Sequence, residues 1–367
     1  MSLQTPPETA DAPEEGVDVV IAVHDACRPI DRAARSVLDH NGEGVRLTIV
    51  CHEVPAAEIR ARLDPAHRDQ VRLLEHRDGR RSPAGPFNAG IDAATARYVS
   101  VMGSDDQLAP GAIASWYWCA EKHGADAVIA RLEHDDGRLV RTPPTRPFRR
   151  GALDGLRDRL CYRSAPLGLV SRAAITRLGL RMDEKVQVGE DVGFVTRLWF
   201  NGVVVLDRTG PAYRIGGDAP DRITFASRPV SEELKFLRRL LERRWFQALT
   251  QQERRAACVK LTRIHLFGAV HNRPDPEFWT EKQRTALAEV GRSLLRAAPG
   301  MEAVLSVADR ALLDRVVDGS GAADQLIALA RSRRRHGTPS TLLTRDPVHM
   351  LAREAPLRMM AASALMR

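Results

Sequence analysis

Several features that would assign this chain of 367 residues to a specialised class of protein are missing. No apolar run approaches the roughly 18 residues that a membrane-spanning helix needs. The first residues also lack the charged start and apolar centre of a signal peptide. The hydrophobic fraction of 44% and the charged fraction of 28% are those of a soluble globular protein. We therefore expect a cytoplasmic protein, and the length predicts two domains.

Cysteines are few and far apart in this sequence. The five of them are odd in number and include no CxxC pair, which argues against a disulfide framework and against a zinc site. We expect them to be buried, reduced thiols.

Acidic residues are under-represented in one part of the chain only. Residues 225–367 contain 25 Lys and Arg against 15 Asp and Glu, so the formal net charge of +8 arises in the C-terminal third. Such a surface is either a solvated helical face or a contact for an acidic membrane or a polyanion. We expect no nucleic-acid binding, because neither zinc-finger spacing nor an aromatic RNP-like sequence accompanies the charge.

Strands and helices alternate at short intervals after the first 16 residues. Residues 1–16 are rich in Pro, Glu, Thr and Ala and are predicted to be disordered. The alternation predicts an α/β fold with a doubly wound mixed sheet and helices on both of its faces. A loop or hairpin over 133–150 would cover the site. Strands are predicted at 17–23, 47–51, 71–74, 98–102, 127–132, 167–170, 203–206 and 212–215, the last extending the same sheet.

The patterning becomes helical from residue 225 onward. Three sites have the signature of helix N-caps, each before an amphipathic run: Ser231 followed by Glu232 and Glu233, Thr250 followed by Glu253, and Thr280 followed by Gln283. The domains predicted are thus 1–16, 17–224 and an all-helical 225–367. We expect the last to pack on the α/β domain or to form a homo-oligomer.

Two acidic pairs are the candidates for chemistry. Asp105-Asp106 follows the strand at 98–102, and Glu190-Asp191 precedes a predicted helix. Ligands of open α/β sheets bind beyond the carboxyl ends of the strands, where carboxylates suit Mg²⁺ or Mn²⁺ on a phosphate. The second pair would accept a proton from a hydroxyl, with the positive end of the helix lowering the pKa of its carboxyls. A solvated turn and an ordinary N-cap are the alternatives.

These motifs together resemble the inverting family 2 glycosyltransferases. The strand at 17–23 is followed by Asn88-Ala89-Gly90-Ile91, by the segment from Arg97 to Pro110, and by Gly189-Glu190-Asp191 with Arg197-Leu198. The resemblance covers about residues 17–215. It implies the GT-A fold, in which a sugar is moved from a nucleotide diphosphate to an acceptor.

The resemblance also implies roles for residues at matching positions. Asp106 would ligate Mn²⁺ or Mg²⁺ on the donor diphosphate, and Asp105 would contact the metal or the donor's ribose or sugar. Asp191 would be the general base, with Glu190 as its neighbour. The remaining residues expected at the donor are Val23, His24, Asp25, His52, Arg77, Arg81 and Asn88.

Four positions depart from the pattern of that family. His52-Glu53 stands where an aspartate usually reads the base, Phe87 replaces an arginine, and Gly103 replaces an aspartate. Asp218 is a poor substitute for a histidine as third metal ligand. His52 is then either a base contact or a structural histidine. The changes leave the identity of the nucleotide open.

The sequence thus predicts a metal-dependent inverting glycosyltransferase with a nucleotide-sugar donor and a hydroxyl acceptor. The resemblance implies bacterial surface polysaccharide or glycoconjugate assembly. One alternative is a catalytically silent nucleotide-sugar-binding scaffold of the same fold. A nucleotidyltransferase is disfavoured, because Val23 to Arg28 is not a Gly-rich basic loop. Peripheral contact of the helical region with the membrane also remains an alternative.

Overall fold

The computed structural model describes residues 14–41, 44–140, 146, 149, 151–217 and 228–365. Their strands lie close to the predicted positions, although the first begins at Glu14, so that three residues expected to be disordered lie in it. The strands are β1 (Glu14–Val23), β2 (Val45–His52), β3 (Val71–His76), β4 (Ala96–Gly103), β5 (Gln107–Leu108), β6 (Ala127–Ile129), β7 (Leu132–His134), β8 (Gly168–Ser171), β9 (Val204–Leu206) and β10 (Tyr213–Ile215).

Seven of these strands form one mixed sheet in the order β3-β2-β1-β4-β8-β6-β9. The strands β3, β2, β1 and β4 are parallel to one another. β8 runs antiparallel to its neighbours β4 and β6, and β9 is parallel to β6. The strand order reverses between β1 and β4. This reversal is the switch point at which open α/β sheets bind their ligands, so the loops that follow β1 and β4 are placed for binding.

A second, small sheet corrects two predictions. The run at 127–132 divides into β6 in the main sheet and β7 outside it. The run at 212–215 does not extend the main sheet, because β10 pairs with β5 and β7 in the order β5-β10-β7. Within the segment 133–150, which was predicted to cover the site, residues 134–138 form a tight turn. Gly137 in this turn has a left-handed backbone conformation. The other parts of that cover lie largely outside the described residues.

Helices cover both faces of the main sheet, as predicted. They are α1 (Ile30–Leu38), α2 (Ala56–Arg62), α3 (Ala84–Asp92), α4 (Ala112–His123), α5 (Arg172–Arg177) and α6 (Val192–Asn201). One apolar core contains Trp116 of α4, and the core on the opposite face contains Trp199 of α6. Near-continuous apolar strands such as β1 are buried between these two cores.

The C-terminal region is helical, as predicted. Its helices are α7 (Val230–Glu233), α8 (Lys235–Leu241), α9 (Arg244–Gln247), α10 (Gln251–Leu261), α11 (Phe267–His271), α12 (Glu281–Ala297), α13 (Val307–Asp318), α14 (Ala323–Ser332), α15 (Pro339–Leu342) and α16 (Pro356–Ala364). Their core includes Val186 and Val192 of the α/β part, so the two parts share apolar packing. The boundary predicted at 224/225 lies outside the described residues. No helix in the described ranges combines the length and apolarity needed to cross a membrane.

The structure agrees with the three predicted helix starts to different extents. Thr250 and Glu253 form a complete capping box. Thr280 occupies the N-cap of α12 without a capping bond from its side chain, and α7 begins before Ser231. A π-helical turn, Thr262–Leu266, joins α10 to α11. It leaves Ile264, an apolar residue of the amphipathic run that follows Thr250, half exposed to solvent.

Asp18 connects three neighbouring strands of the main sheet. Its buried carboxylate accepts two bonds from Arg46 of β2, at 2.9 and 3.0 Å. It also accepts the amides of Thr95 and Ala96 where β4 begins, at 2.8 and 2.7 Å. Because a buried carboxylate is stable only when its oxygens are satisfied, this network orders β1, β2 and β4.

Asp18→Ala should lower the free energy of unfolding by about 3 kcal/mol, because two amides and a guanidinium lose their acceptor. Asp69→Ala, which removes an exposed partner of Arg60, is the matched control and should change it by less than about 0.5 kcal/mol. Urea unfolding at pH 7 measures both. Equal effects of the two substitutions would contradict the role assigned to Asp18.

Candidate active site

The loops that follow β1 to β4 leave the sheet at the same edge. Val23 ends β1 and is followed by His24 and Asp25. His52 ends β2, and the loop with Arg77 and Arg81 follows β3. Asp105-Asp106 follows β4, next to the β1 loop at the switch point. Parallel pairing of the four strands therefore brings the residues predicted at the donor to one edge of the sheet.

Asp106 is held by the small sheet. Its Oδ2 accepts the hydroxyl of Tyr213 at 2.5 Å, and its Oδ1 accepts the amide of Gly216 at 2.9 Å. The pairing of β10 with β5 sets Tyr213 opposite Leu108, two residues beyond the aspartate. Burial raises the pKa of Asp106, and the bonds from Tyr213 and Gly216 oppose that rise. Sequence reasoning missed Tyr213, because no local pattern links it to Asp106.

Asp105 is oriented by arginines that follow β1. Its Oδ2 lies 3.2 Å from Nη1 of Arg28, and its backbone oxygen accepts Arg32 of α1 at 2.9 Å. The two arginines hold Asp105 from the side of β1, whereas Tyr213 holds Asp106 from the small sheet. Neither arginine was predicted at the site. The signal that could have found them is the presence of two arginines, four residues apart, shortly after the first strand.

The residues after β4 fit a hard divalent cation. Both carboxylates lie beside Gly103, where an added Cβ would fall 2.6 Å from Oδ2 of Asp106 and 3.1 Å from Oδ1 of Asp105. A side chain at 103 would therefore require these carboxylates to shift. Each oxygen of Asp106 keeps a lone pair for a cation. The predicted third ligand, Asp218, lies outside the described residues.

His52 is buried and pairs with an aspartate from the next loop. Its Nε2 lies 2.9 Å from Oδ1 of Asp78, and Nε2 of His76 lies 3.3 Å from Oδ2 of the same carboxylate. Oε1 of Glu53 accepts the amides of Asp78 and Gly79. Ligand atoms of His52, Glu53 and Asp78 lie within 4.8 Å of one another. The carboxylates of Glu53 and Asp78 already accept hydrogen bonds within the protein. The cluster therefore connects the loop after β2 to the loop after β3.

Asn88 connects α3 to the segment before Glu190. Its Nδ2 donates to the backbone oxygen of Met182 and to Oε1 of Glu184, while its Oδ1 accepts the amide of Met182. Arg80 also reaches this segment and donates to the backbone oxygen of Glu184 at 2.8 Å. These bonds tie the loop after β3 to the turn that carries the second acidic pair. Arg77 is exposed, and its contact with a donor stays a prediction, as does that of Arg81.

Glu190 and Asp191 are not ordinary capping residues. Asp191 occupies the N-cap position of α6, but its side chain makes no capping hydrogen bond. Burial raises the pKa of Asp191, and the charge of Lys260 opposes this rise. Burial and the charge of Asp191 raise the pKa of Glu190. The expectation that the helix lowers these pKa values is therefore wrong, because burial outweighs the positive helix end.

A cavity of about 380 Å³ lies beside Glu190, between the segment at 179–185 and helices of the C-terminal region. Arg197 and Trp245 line it, with the guanidinium 5.6 Å from the indole centroid. Arg239 lines it as well and pairs with Asp183 at 2.6 Å. An aromatic face next to polar groups is a surface that suits a sugar.

The fold is the GT-A glycosyltransferase fold. The structure of S. aureus TarS residues 1–349 in complex with UDP-GlcNAc matches it with a TM-score of 0.72, covering 87% of this chain and 92% of that one at 15% identity. The UDP complex of the same TarS fragment matches with a TM-score of 0.66 over 87% and 91% of the two chains, again at 15% identity. At such identity these matches show the fold alone.

Residues 18–179 match the family model described as Glycosyl transferase family 2. This match confirms the resemblance that the motifs indicated. The succinoglycan biosynthesis protein ExoO of Rhizobium meliloti (strain 1021) is 33% identical over 141 residues. The match spans 37% of this chain and 38% of that relative's length.

Tyr213→Phe should lower the free energy of unfolding by about 2 kcal/mol at pH 7, because a half-buried carboxylate loses a charge-assisted bond. Tyr117→Phe is the matched control, since its hydroxyl has no bonding partner among the described residues. Chemical unfolding of both variants measures the difference. A loss equal to that of the control would show that the bond to Asp106 contributes nothing.

Asp191→Asn should stabilise the protein at neutral pH. A folded-state pKa raised above the unfolded value near 4 means that stability falls as pH rises between the two values. The neutral amide removes this penalty, with a gain of about 1–2 kcal/mol at pH 7.5 that disappears at pH 4. Urea unfolding at both pH values measures it, with Asp69→Asn as exposed control. A destabilised Asp191→Asn protein at pH 7.5 would contradict the assigned burial.

Proposed function

We propose that this chain is a metal-dependent inverting glycosyltransferase that moves a sugar from a nucleotide diphosphate to an acceptor hydroxyl. The observation that carries the proposal is the presence of two carboxylates beside Gly103 together with a half-buried, uncapped carboxylate at Asp191. Contacts from Arg80 and Asn88 connect the loop after β3 and helix α3 to Glu184, in the segment before the second acidic pair. The arrangement supports a donor at the sheet edge and an acceptor beside Glu190.

Asp106 and Asp105 are the residues that would hold Mn²⁺ or Mg²⁺. When bound, the cation neutralises charge that develops on the departing diphosphate. Arg28 and Tyr213 keep the two carboxylates in place before the donor arrives, which reduces the cost of ordering the site on binding. The family match and the UDP-GlcNAc complex of the TarS relative in fold support a nucleotide-sugar donor.

Asp191 would act as the general base. Its carboxylate accepts the proton of the acceptor hydroxyl as that oxygen attacks the anomeric carbon from the face opposite the diphosphate, so the anomeric configuration inverts. Asp191 is the better candidate of the pair, since its charge raises the pKa of Glu190. Glu190 would be its protonated neighbour at the cavity that we assign to the acceptor.

Surface polysaccharide or glycoconjugate assembly in a bacterium is the proposed pathway. The name of the Rhizobium relative, a succinoglycan biosynthesis protein, supports it. The cytoplasmic location, membrane contact and homo-oligomer stay predictions. A silent nucleotide-sugar-binding scaffold is the second candidate, because His52 and Glu53 hold the position of the usual base-reading aspartate and are used within the protein.

The decisive experiment measures hydrolysis and transfer with a panel of nucleotide-diphospho-sugars and Mn²⁺. Asp191→Asn should lower kcat about 10³-fold and still bind the donor, because a general base contributes about 10²- to 10⁴-fold. Asp106→Ala should abolish the stabilisation by UDP and Mn²⁺ in a thermal-shift assay. Glu232→Gln, an exposed acid at another helix start, is the control and should resemble wild type.

Wild-type activity in the Asp191→Asn enzyme would refute the assignment of the base. A donor that stabilises the wild-type protein without turnover under any condition would favour the silent scaffold. Absence of stabilisation by every nucleotide tested would contradict both functions.

A further inference from the structure

Lys260 is a lysine in the interior of the C-terminal helices. It lies in the last turn of α10 and is only 2% exposed. Its Nζ lies 2.9 Å from Nε2 of His265, and it forms no salt bridge within the described ranges. An ammonium has only donors, so the histidine nitrogen accepts. A buried cation with one neutral partner needs compensation from another charge.

The π-helical turn makes the contact between Lys260 and His265 feasible. Residues five apart on a regular α-helix point about 140° away from each other, because each residue turns the helix by about 100°. The turn at Thr262–Leu266 winds more widely and brings the two side chains together. Such single turns inside helices are frequent at functional sites. Helix propensity alone would not have placed His265 here.

A chain of contacts leads from His265 to the turn before α6. The imidazole meets the ring of Phe236 edge-on, with centroids 4.9 Å apart. The Phe236 ring in turn packs on Gly189, where an added Cβ would lie 2.6 Å from it. Gly189 also has a φ of +72°, which favours glycine. Lys260, His265 and Phe236 thus form a cluster directly behind Glu190-Asp191.

We propose that Lys260 is a positioning residue, whose buried ammonium acts through its charge to favour the ionised form of the Asp191 carboxyl, which is the form that accepts the acceptor's proton. This inference rests on the proposed function of Asp191 as base. The C-terminal helices would then complete the active site, because the residue that tunes the base comes from them and not from the family 2 domain.

The charges around the cluster agree with this role. The ammonium of Lys260 works against the burial that raises the pKa of Asp191, and Asp191 works against the burial that lowers the pKa of Lys260. Burial and Lys260 hold the pKa of His265 well below its usual range, so the imidazole stays neutral. The other groups that face the pair are the carboxyl of Glu190 and the thiol of Cys161.

The test is the pH dependence of kcat at saturating donor. Lys260→Met and Lys260→Gln remove the charge, and the second keeps a donor for His265. Both should shift the acidic limb of kcat upward by about one pH unit, because an opposite charge lowers a carboxylate pKa by about 1–3 units. Activity should return at high pH, with the donor KM within twofold. Lys260→Arg should keep the wild-type limb. Lys235→Met, an exposed lysine of the same region, is the control.

The outcomes separate this proposal from the proposed function. An inactive Asp191→Asn enzyme together with wild-type acidic limbs in both neutral Lys260 variants would overturn the role of Lys260 alone. An active Asp191→Asn enzyme would refute the base itself. A uniform loss of kcat at every pH, or failure of both neutral variants to fold, would also overturn the proposal, since Lys260 would then serve only the fold.

Discussion

The partial burial of one carboxylate, that of Asp191, links the main parts of this structure. A carboxylate withdrawn from water costs free energy unless a compensating charge lies near it. Asp191 lies at the N-cap of α6 beside the sheet, and the C-terminal helices supply Lys260. The apolar core around Val186 and Val192 joins the two regions at this position. The packing of the helical region therefore helps to determine the protonation of Asp191.

The other acidic pair, Asp105-Asp106, depends on different contacts. A sheet of only three short strands carries Tyr213 to Asp106, while arginines after β1 hold Asp105. Neither Tyr213 nor these arginines lie within the strands β1 to β4 themselves. Binding residues on loops need such support, because a loop left to itself would lose order and with it the geometry of the carboxylates.

Much of the framework could be predicted from local pattern. Apolar runs bounded by turns located most strands within a few residues, and the capping box at Thr250 and Glu253 marked a helix start correctly. The errors have physical causes. The run at 127–132 splits and β10 joins a second sheet, because strand pairing is decided by neighbours that are distant in the chain. Ile264 is half exposed where a π-helical turn shifts the helix face, which periodicity of 3.6 residues cannot show.

By itself the sequence determined the α/β alternation, the two acidic pairs and the basic helical region, since hydrophobic period, turn residues and charge are local properties. Only the tertiary structure decided what surrounds these carboxylates. Tyr213 lies 107 residues from Asp106 along the chain and bonds to it directly. Lys260, whose charge opposes the rise in the pKa of Asp191, comes from another region of the chain. Protonation and metal binding depend on burial and on nearby charges, which exist only once distant segments have packed together.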